Sequence, residues 1–157
     1  MLYVLIVLSI SVSATAESID TLAEIGSKCS GLPTRLIKSV IYVESKGNPY
    51  AVNINGVGGY QASSLREALR VLYHYDRANS DLGLMQVNYL TWGPVMGLTP
   101  VDLLRPSTNV CVGSVILREY IDAHGGWKGV GRYNAATPSK QRAYILKVAS
   151  AYGRISD

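Results

Sequence analysis

The stretch from Pro33 to Gly47 constrains the fold most, because it reads as a helix whose buried face has to accommodate a carboxylate. At about 3.6 residues per turn, Ile37, Val40, Ile41 and Glu44 share one stripe, with Glu44 near its centre. Arg35, Lys38 and Lys46 lie off that stripe. Pro33 suits a first turn, and Gly47 followed by Pro49 supplies a stop. Burial disfavours the charged form of a carboxyl, so a half-buried Glu without a neighbouring cation keeps its proton to higher pH. Such a group can donate a proton near neutrality. Helix phase alone leaves a second reading open, in which Glu44 reaches solvent beside Lys46 at the helix end.

The rest of the chain is punctuated in the same way. Ser18 to Ser30 carries Ile19, Leu22, Ala23 and Ile25 before Gly31-Leu32-Pro33 interrupts it. From Asn48 to Gln61 the character changes, and Asn55-Gly56 after Tyr50-Ala51-Val52-Asn53-Ile54 is a hairpin signal. Ser64-Leu65-Arg66-Glu67 has the form of a capping box opening a helix, with Leu65, Ala68, Leu69 and Leu72 on one face. Asp81 to Leu90 is short and ambiguous. Pro106 to His124 reads as a long helix through Val110, Gly113, Ser114, Leu117 and Ile121, with Gly113 suited to close helix contact. Thr137-Pro138 opens a last helix, along which Ala143, Leu146, Lys147 and Ser150 are expected to face inward. With 157 residues, 48% hydrophobic and 17% charged, these signals describe a single folded domain of mainly α class with a small β-hairpin element.

The first residues form an apolar run, Met1 to Ile10, too short for the roughly 20 residues a spanning helix needs. Small residues follow, and Ala14-Thr15-Ala16 has the form of a signal-peptidase site. Residues 1–16 are therefore expected to be a secretory signal peptide cleaved after Ala16, leaving 17–157 as the exported, periplasmic chain. No Lys or Arg precedes the apolar run, so a retained anchor stays open as an alternative. In an oxidising compartment the even pair Cys29 and Cys111 reads as one disulfide. Two cysteines without paired histidine spacing do not make a zinc site. No acidic calcium loop or glycine-rich phosphate cradle appears, so neither metal nor other cofactor is expected. The formal charge of +4 is spread along the chain, with no Lys/Arg run to follow a nucleic acid. A mildly basic surface would help an exported protein approach an anionic wall polymer.

Three short motifs stand in order: Glu44-Ser45-Lys46-Gly47-Asn48-Pro49, Asp81-Leu82-Gly83-Leu84-Met85-Gln86-Val87-Asn88, and Arg132-Tyr133-Asn134-Ala135. Together they resemble the catalytic core of the lysozyme-like lytic transglycosylases of the soluble-lytic-transglycosylase type. The resemblance runs from about Cys29 to Gly153 and implies a lysozyme-like fold. Asn53-Ile54-Asn55-Gly56, the inserted helix from Ser64 to Tyr75, Asp81 and Asn109-Val110-Cys111 look like one subgroup of that family. Its members accompany type III and type IV secretion systems, conjugation machines and type IV pili, and its paired cysteines fit Cys29 and Cys111. The family's glycine after Tyr-Asn-Ala is replaced here by Ala136.

The resemblance implies that Glu44 cleaves the glycosidic bond from N-acetylmuramic acid to N-acetylglucosamine in peptidoglycan strands. It acts as acid and then as base, and a 1,6-anhydro ring closes without water. Ser45, Gln86, Tyr133 and Asn134 are expected to touch Glu44 or sugar, and Met85 to form a cleft wall. Each also has a plainer reading: Ser45 as a helix cap, Tyr133 as a core aromatic and Asn134 as a turn or cap residue. Asp81 is expected to cap the following turn rather than act as a nucleophile, and Asn88 to be a helix-end residue. His74 and His124 read as structural, and Trp92 and Trp127 as core residues rather than sugar platforms. A hydrolysing muramidase and a glycan-binding scaffold of a secretion, conjugation or pilus apparatus are the competing functions.

Overall fold

The computed structural model describes residues 17–75 and 79–155, so the expected signal peptide and the acidic side chain of Asp76 lie outside the described residues. Helix α1 spans Ile19–Ser30 and α2 spans Thr34–Ser45. The Ser18 hydroxyl accepts the Thr21 amide at 3.1 Å to start α1, and Gly31 ends it at φ 71°. Pro33 is the N-cap of α2, where no amide proton is needed. The stop comes one residue earlier than Gly47: Lys46 turns left-handed at φ 57° and its amide bonds the Tyr42 carbonyl at 3.2 Å. Its ammonium sits 4.2 Å from the centre of the Tyr42 ring, away from Glu44.

The hairpin turns at Asn55-Gly56, joining β1 (Ala51–Ile54) to β2 (Gly58–Gln61). The β component is larger than a hairpin. Helix α3 (Leu65–His74) follows, and then β3 (Ser80–Leu82) and β4 (Val87–Asn88) extend the sheet to the antiparallel order β2-β1-β3-β4. The ambiguous segment after Asp81 therefore supplies two strands around the turn Gly83-Leu84-Met85-Gln86. Register sets Asn53 opposite Asp81 and Asp81 opposite Asn88, a row of three polar side chains across the sheet. At α3 the Ser64 hydroxyl accepts the Glu67 amide as expected. Glu67 reaches back to the amide and hydroxyl of Ser63 instead of Ser64.

Helices α4 (Tyr89–Met96), α5 (Pro100–Leu103), α6 (Pro106–His124), α7 (Gly126–Asn134) and α8 (Pro138–Arg154) complete the chain. Ile37, Val40, Leu84, Met85, Val110 and Leu117 are among the buried residues of one continuous hydrophobic cluster. Two glycines set close approaches. A Cβ on Gly26 would lie 2.5 Å from the Ser114 hydroxyl, so α1 can press onto α6. A Cβ on Gly113 would lie 2.7 Å from Met85 Cβ. Gly113 thus admits the Met85 turn rather than a second helix. Cys29 on α1 and Cys111 on α6 form a disulfide across 82 positions, with Cα atoms 5.5 Å apart.

The last helix differs from its expected phase. Tyr144, Val148 and Ala151 are buried, while Ala143, Leu146, Lys147 and Ser150 are exposed. Leu146 is 66% exposed. Hydropathy alone undervalues a tyrosine whose hydroxyl finds an acceptor inside, and that acceptor belongs to α2.

Candidate active site

Glu44 occupies the last turn of α2, on the same face as the buried Ile37, Val40 and Ile41. It faces a cavity of about 600 Å³ bounded on the other side by the sheet, α4 and α7. The Tyr144 hydroxyl donates to Glu44 Oε1 at 2.5 Å. The Glu44 pKa is raised from 4.5 to about 7, chiefly by burial and in smaller part by the charge of Asp81. The Tyr144 hydrogen bond and the charge of Lys147 act in the opposite direction. Tyr144 itself is pushed well above its ordinary value by burial and by the Glu44 charge, so it stays a neutral donor. The reading of Glu44 as a solvent-reaching residue beside Lys46 does not match this geometry.

Facing Glu44 is a cluster of carboxamides. Asn53 and Asn55 donate to Asp81 Oδ2 at 2.9 and 3.1 Å, and Asn88 donates to Oδ1 at 2.7 Å. Asn88 and Asn55 also reach Asn79, at 2.6 and 3.1 Å. Asp81 therefore sits in a strand with its oxygens held by three donors and does not cap a turn. Asn88 keeps its expected helix-end role as well, its Oδ1 accepting the Thr91 amide at 2.9 Å. Side chains of this kind present paired donors and acceptors, the pattern that sugar hydroxyls and N-acetyl groups require.

The residues expected to touch substrate divide into two groups. Gln86, Tyr133 and Asn134 line the cavity, and so does Trp92, which also packs against the core as expected. Gln86 adopts φ 49°, and its amide donates to the Gly83 and Ala51 carbonyls at 2.9 and 3.2 Å, not to Glu44. Tyr133 donates to the Met85 carbonyl at 2.7 Å, which ties α7 to the turn beneath the cavity. Burial, followed by the Glu44 and Asp81 charges, pushes its phenol well above the ordinary value.

Ser45 and Met85 are corrections, because both are fully buried and neither lines the cavity. The Ser45 hydroxyl donates to the Ile41 carbonyl at 3.1 Å and accepts the Gly47 amide at 3.2 Å, so it closes the end of α2. Met85 packs under the floor, its Sδ 3.6 Å from the Ser114 hydroxyl. Trp127 is 43% exposed, outside the cavity and edge-on to Tyr152. His74 and His124 make ring contacts with Tyr75 and Tyr120.

Three features were not anticipated. Tyr144 was hidden by the misjudged phase of α8. The carboxamide cluster needs pairing across strands that are far apart in sequence. Asn109, fully buried, accepts the Met85 amide at 2.8 Å and donates to the Leu82 and Leu103 carbonyls at 2.7 Å each. It clamps the turn from α6, and its place in Asn109-Val110-Cys111 was the signal available. Among the described residues no three His, Cys, Asp or Glu side chains gather as metal ligands.

Residues 22–152 match the Transglycosylase SLT domain. Two curated proteins, each called Protein IpgF, from Shigella sonnei and Shigella flexneri, are each 30% identical to the chain over 122 residues. The match spans 75% of this chain and 67% of each of those proteins. No solved structure gives a significant match. The helix that carries Glu44, the Gly83 to Gln86 turn and the Tyr133 segment all fall inside the matched span, and the chain belongs to the Transglycosylase SLT domain family.

Proposed function

We propose that the chain is a peptidoglycan lytic transglycosylase with Glu44 as its single acid and base. The observation that carries this reading is a carboxyl held by Tyr144 and facing a carboxamide-lined cleft, where burial raises its pKa to about 7. Protonated Glu44 gives its proton to the oxygen that links C1 of N-acetylmuramic acid to C4 of N-acetylglucosamine, and the C1–O4 bond breaks. The 2-acetamido oxygen of the muramic acid stabilises the electron-poor C1. Glu44, now a carboxylate, takes the proton of the C6 hydroxyl while O6 bonds to C1. One proton enters and one returns, and no water is consumed. Tyr144 holds the Glu44 carboxyl in place throughout.

Glu44→Gln keeps the acceptor for Tyr144 but cannot donate and retake a proton at the required strength. Its expected rate loss is at the upper end of the roughly 10²–10⁴ range for positioned proton transfer, or beyond it. A folded variant retaining more than about a tenth of wild-type cleavage contradicts the assignment.

Asp81 favours one second reading. It lies in the same cavity, and its charge acts on Glu44, so a muramidase with two carboxylates and water as nucleophile is the alternative. Under that reading Asp81→Asn loses as much activity as Glu44→Gln; under ours it loses far less. Exported, periplasmic placement with cleavage after Ala16, and local wall opening for a secretion, conjugation or pilus apparatus, complete the proposal. They are supported by the N-terminal sequence and by the subgroup resemblance. A role as scaffold alone predicts that Glu44→Gln leaves assembly of such an apparatus untouched in cells.

A further inference from the structure

Helix α8 has a second patterned face besides the one that enters the core. Tyr144, Val148 and Ala151 point inward. On the other side Ser139, Ala143, Leu146, Ser150 and Gly153 are exposed, Leu146 by 66%. They alternate at separations of four and three residues, the spacing of a seam between two packed helices. Periodicity marks this face as interior, yet the fold leaves it in solvent.

The edges of that face are basic. Lys140, Lys147 and Arg154 recur every seven residues along one edge, and Arg142 lies on the other. All four are exposed, and none forms a salt bridge among the described residues. The helix carries these four cations and no Asp or Glu, an excess as large as the +4 of the whole chain. In paired helices, charges beside the seam select the partner and its orientation.

We propose that the outer face of α8 docks an amphipathic helix of a partner protein, one with an apolar seam to cover Leu146 and acidic residues to meet the basic edges. Two observations choose this occupant. A second copy of the chain would set cation against cation, whether the two helices ran parallel or antiparallel. A lipid surface calls for a broad apolar face, and Leu146 is the one large apolar side chain that α8 exposes. Exposed ion pairs contribute little each, so the covered seam supplies affinity while the charges supply selection. None of these residues lines the cavity of Glu44, so docking here leaves the cleft open. The inference does not depend on the bond that Glu44 cleaves.

The test titrates isotope-labelled protein with a synthetic helical peptide of about three heptads, with Leu along its seam and Glu on both flanks. Two control peptides run beside it: one of the same composition in scrambled order, and one with Lys in place of Glu. The Glu peptide is expected to bind at least about tenfold more tightly than either control, with backbone amide shifts centred on α8. Leu146→Gln should weaken that binding by about tenfold, through loss of one covered Leu. Reversing the basic edge, Lys140→Glu with Lys147→Glu and Arg154→Glu, should transfer binding to the Lys peptide. Absent binding, binding no tighter than that of the scrambled peptide, or shifts centred elsewhere overturns the proposal, and these arms need no variant to fold. Unchanged affinity in a Leu146→Gln protein that melts like wild type overturns it equally. Wild type that ignores the Glu peptide but binds phosphatidylglycerol vesicles through α8 assigns the face to lipid and overturns it too.

Discussion

At the scale of single residues, the pH behaviour of Glu44 is the most accessible consequence of the geometry. A general acid with a pKa of about 7 loses its proton above that pH, so kcat/KM should fall on the alkaline side of about pH 7. The neighbours move that limb in opposite directions. Tyr144→Phe removes the hydrogen bond that favours the charged carboxylate, so the limb should shift to higher pH. Asp81→Asn removes a like charge, so it should shift to lower pH. Rate profiles of the two variants shifting in the same direction would contradict this account of the site.

The same raised pKa makes Glu44 a stability cost at higher pH. Native Glu44 keeps its proton to about pH 7, while the unfolded chain loses it near 4.5. Between those values the native state binds more protons, so stability falls as pH rises. The full cost, present above about pH 7, is at most about 3 kcal/mol. Glu44→Gln has no such penalty. Its melting temperature relative to wild type should therefore be higher at pH 8 than at pH 4.5, and a difference independent of pH would show that Glu44 is not desolvated.

At the scale of elements, the ends of α1, α2 and α6 were legible because caps, prolines and glycines act locally. Pro106 to His124 is read from sequence with its bounds intact. What was not legible depends on partners elsewhere in the chain. The phase of α8 turns on a tyrosine whose acceptor lies 100 positions away on α2, and β3 and β4 are too short to announce themselves without β1. Glu44, Gln86, Tyr133 and Asn134, which line the cavity, could be singled out because they sit in compact motifs. Ser45 and Met85 sit in the same motifs and point into the core, since neighbours along a helix lie about 100° apart and the Gly83 to Gln86 turn sends Met85 inward.

The bond between Cys29 and Cys111 ties the two helices that Gly26 brings together. Its chain-entropy contribution for a loop of 82 positions is at most about 4–5 kcal/mol. Reduction should lower the melting temperature while leaving cleavage intact at temperatures where the protein stays folded, because neither cysteine lines the cleft. Two free thiols in unfolded, unreduced protein would contradict the bond.

At the scale of the molecule, a helical frame holds a small sheet against the end of α2, and the groove between them runs from carboxamides past Glu44 to Tyr133. A net charge of +4 suits approach to an anionic wall. The shape of the groove does not distinguish ring closure from hydrolysis, but the products do. The most direct measurement is mass spectrometry of muropeptides released from purified sacculi by the wild-type protein. The account predicts ends carrying 1,6-anhydro-N-acetylmuramic acid, lighter by one water than reducing ends. Reducing ends alone, or no release by a folded protein, would contradict it.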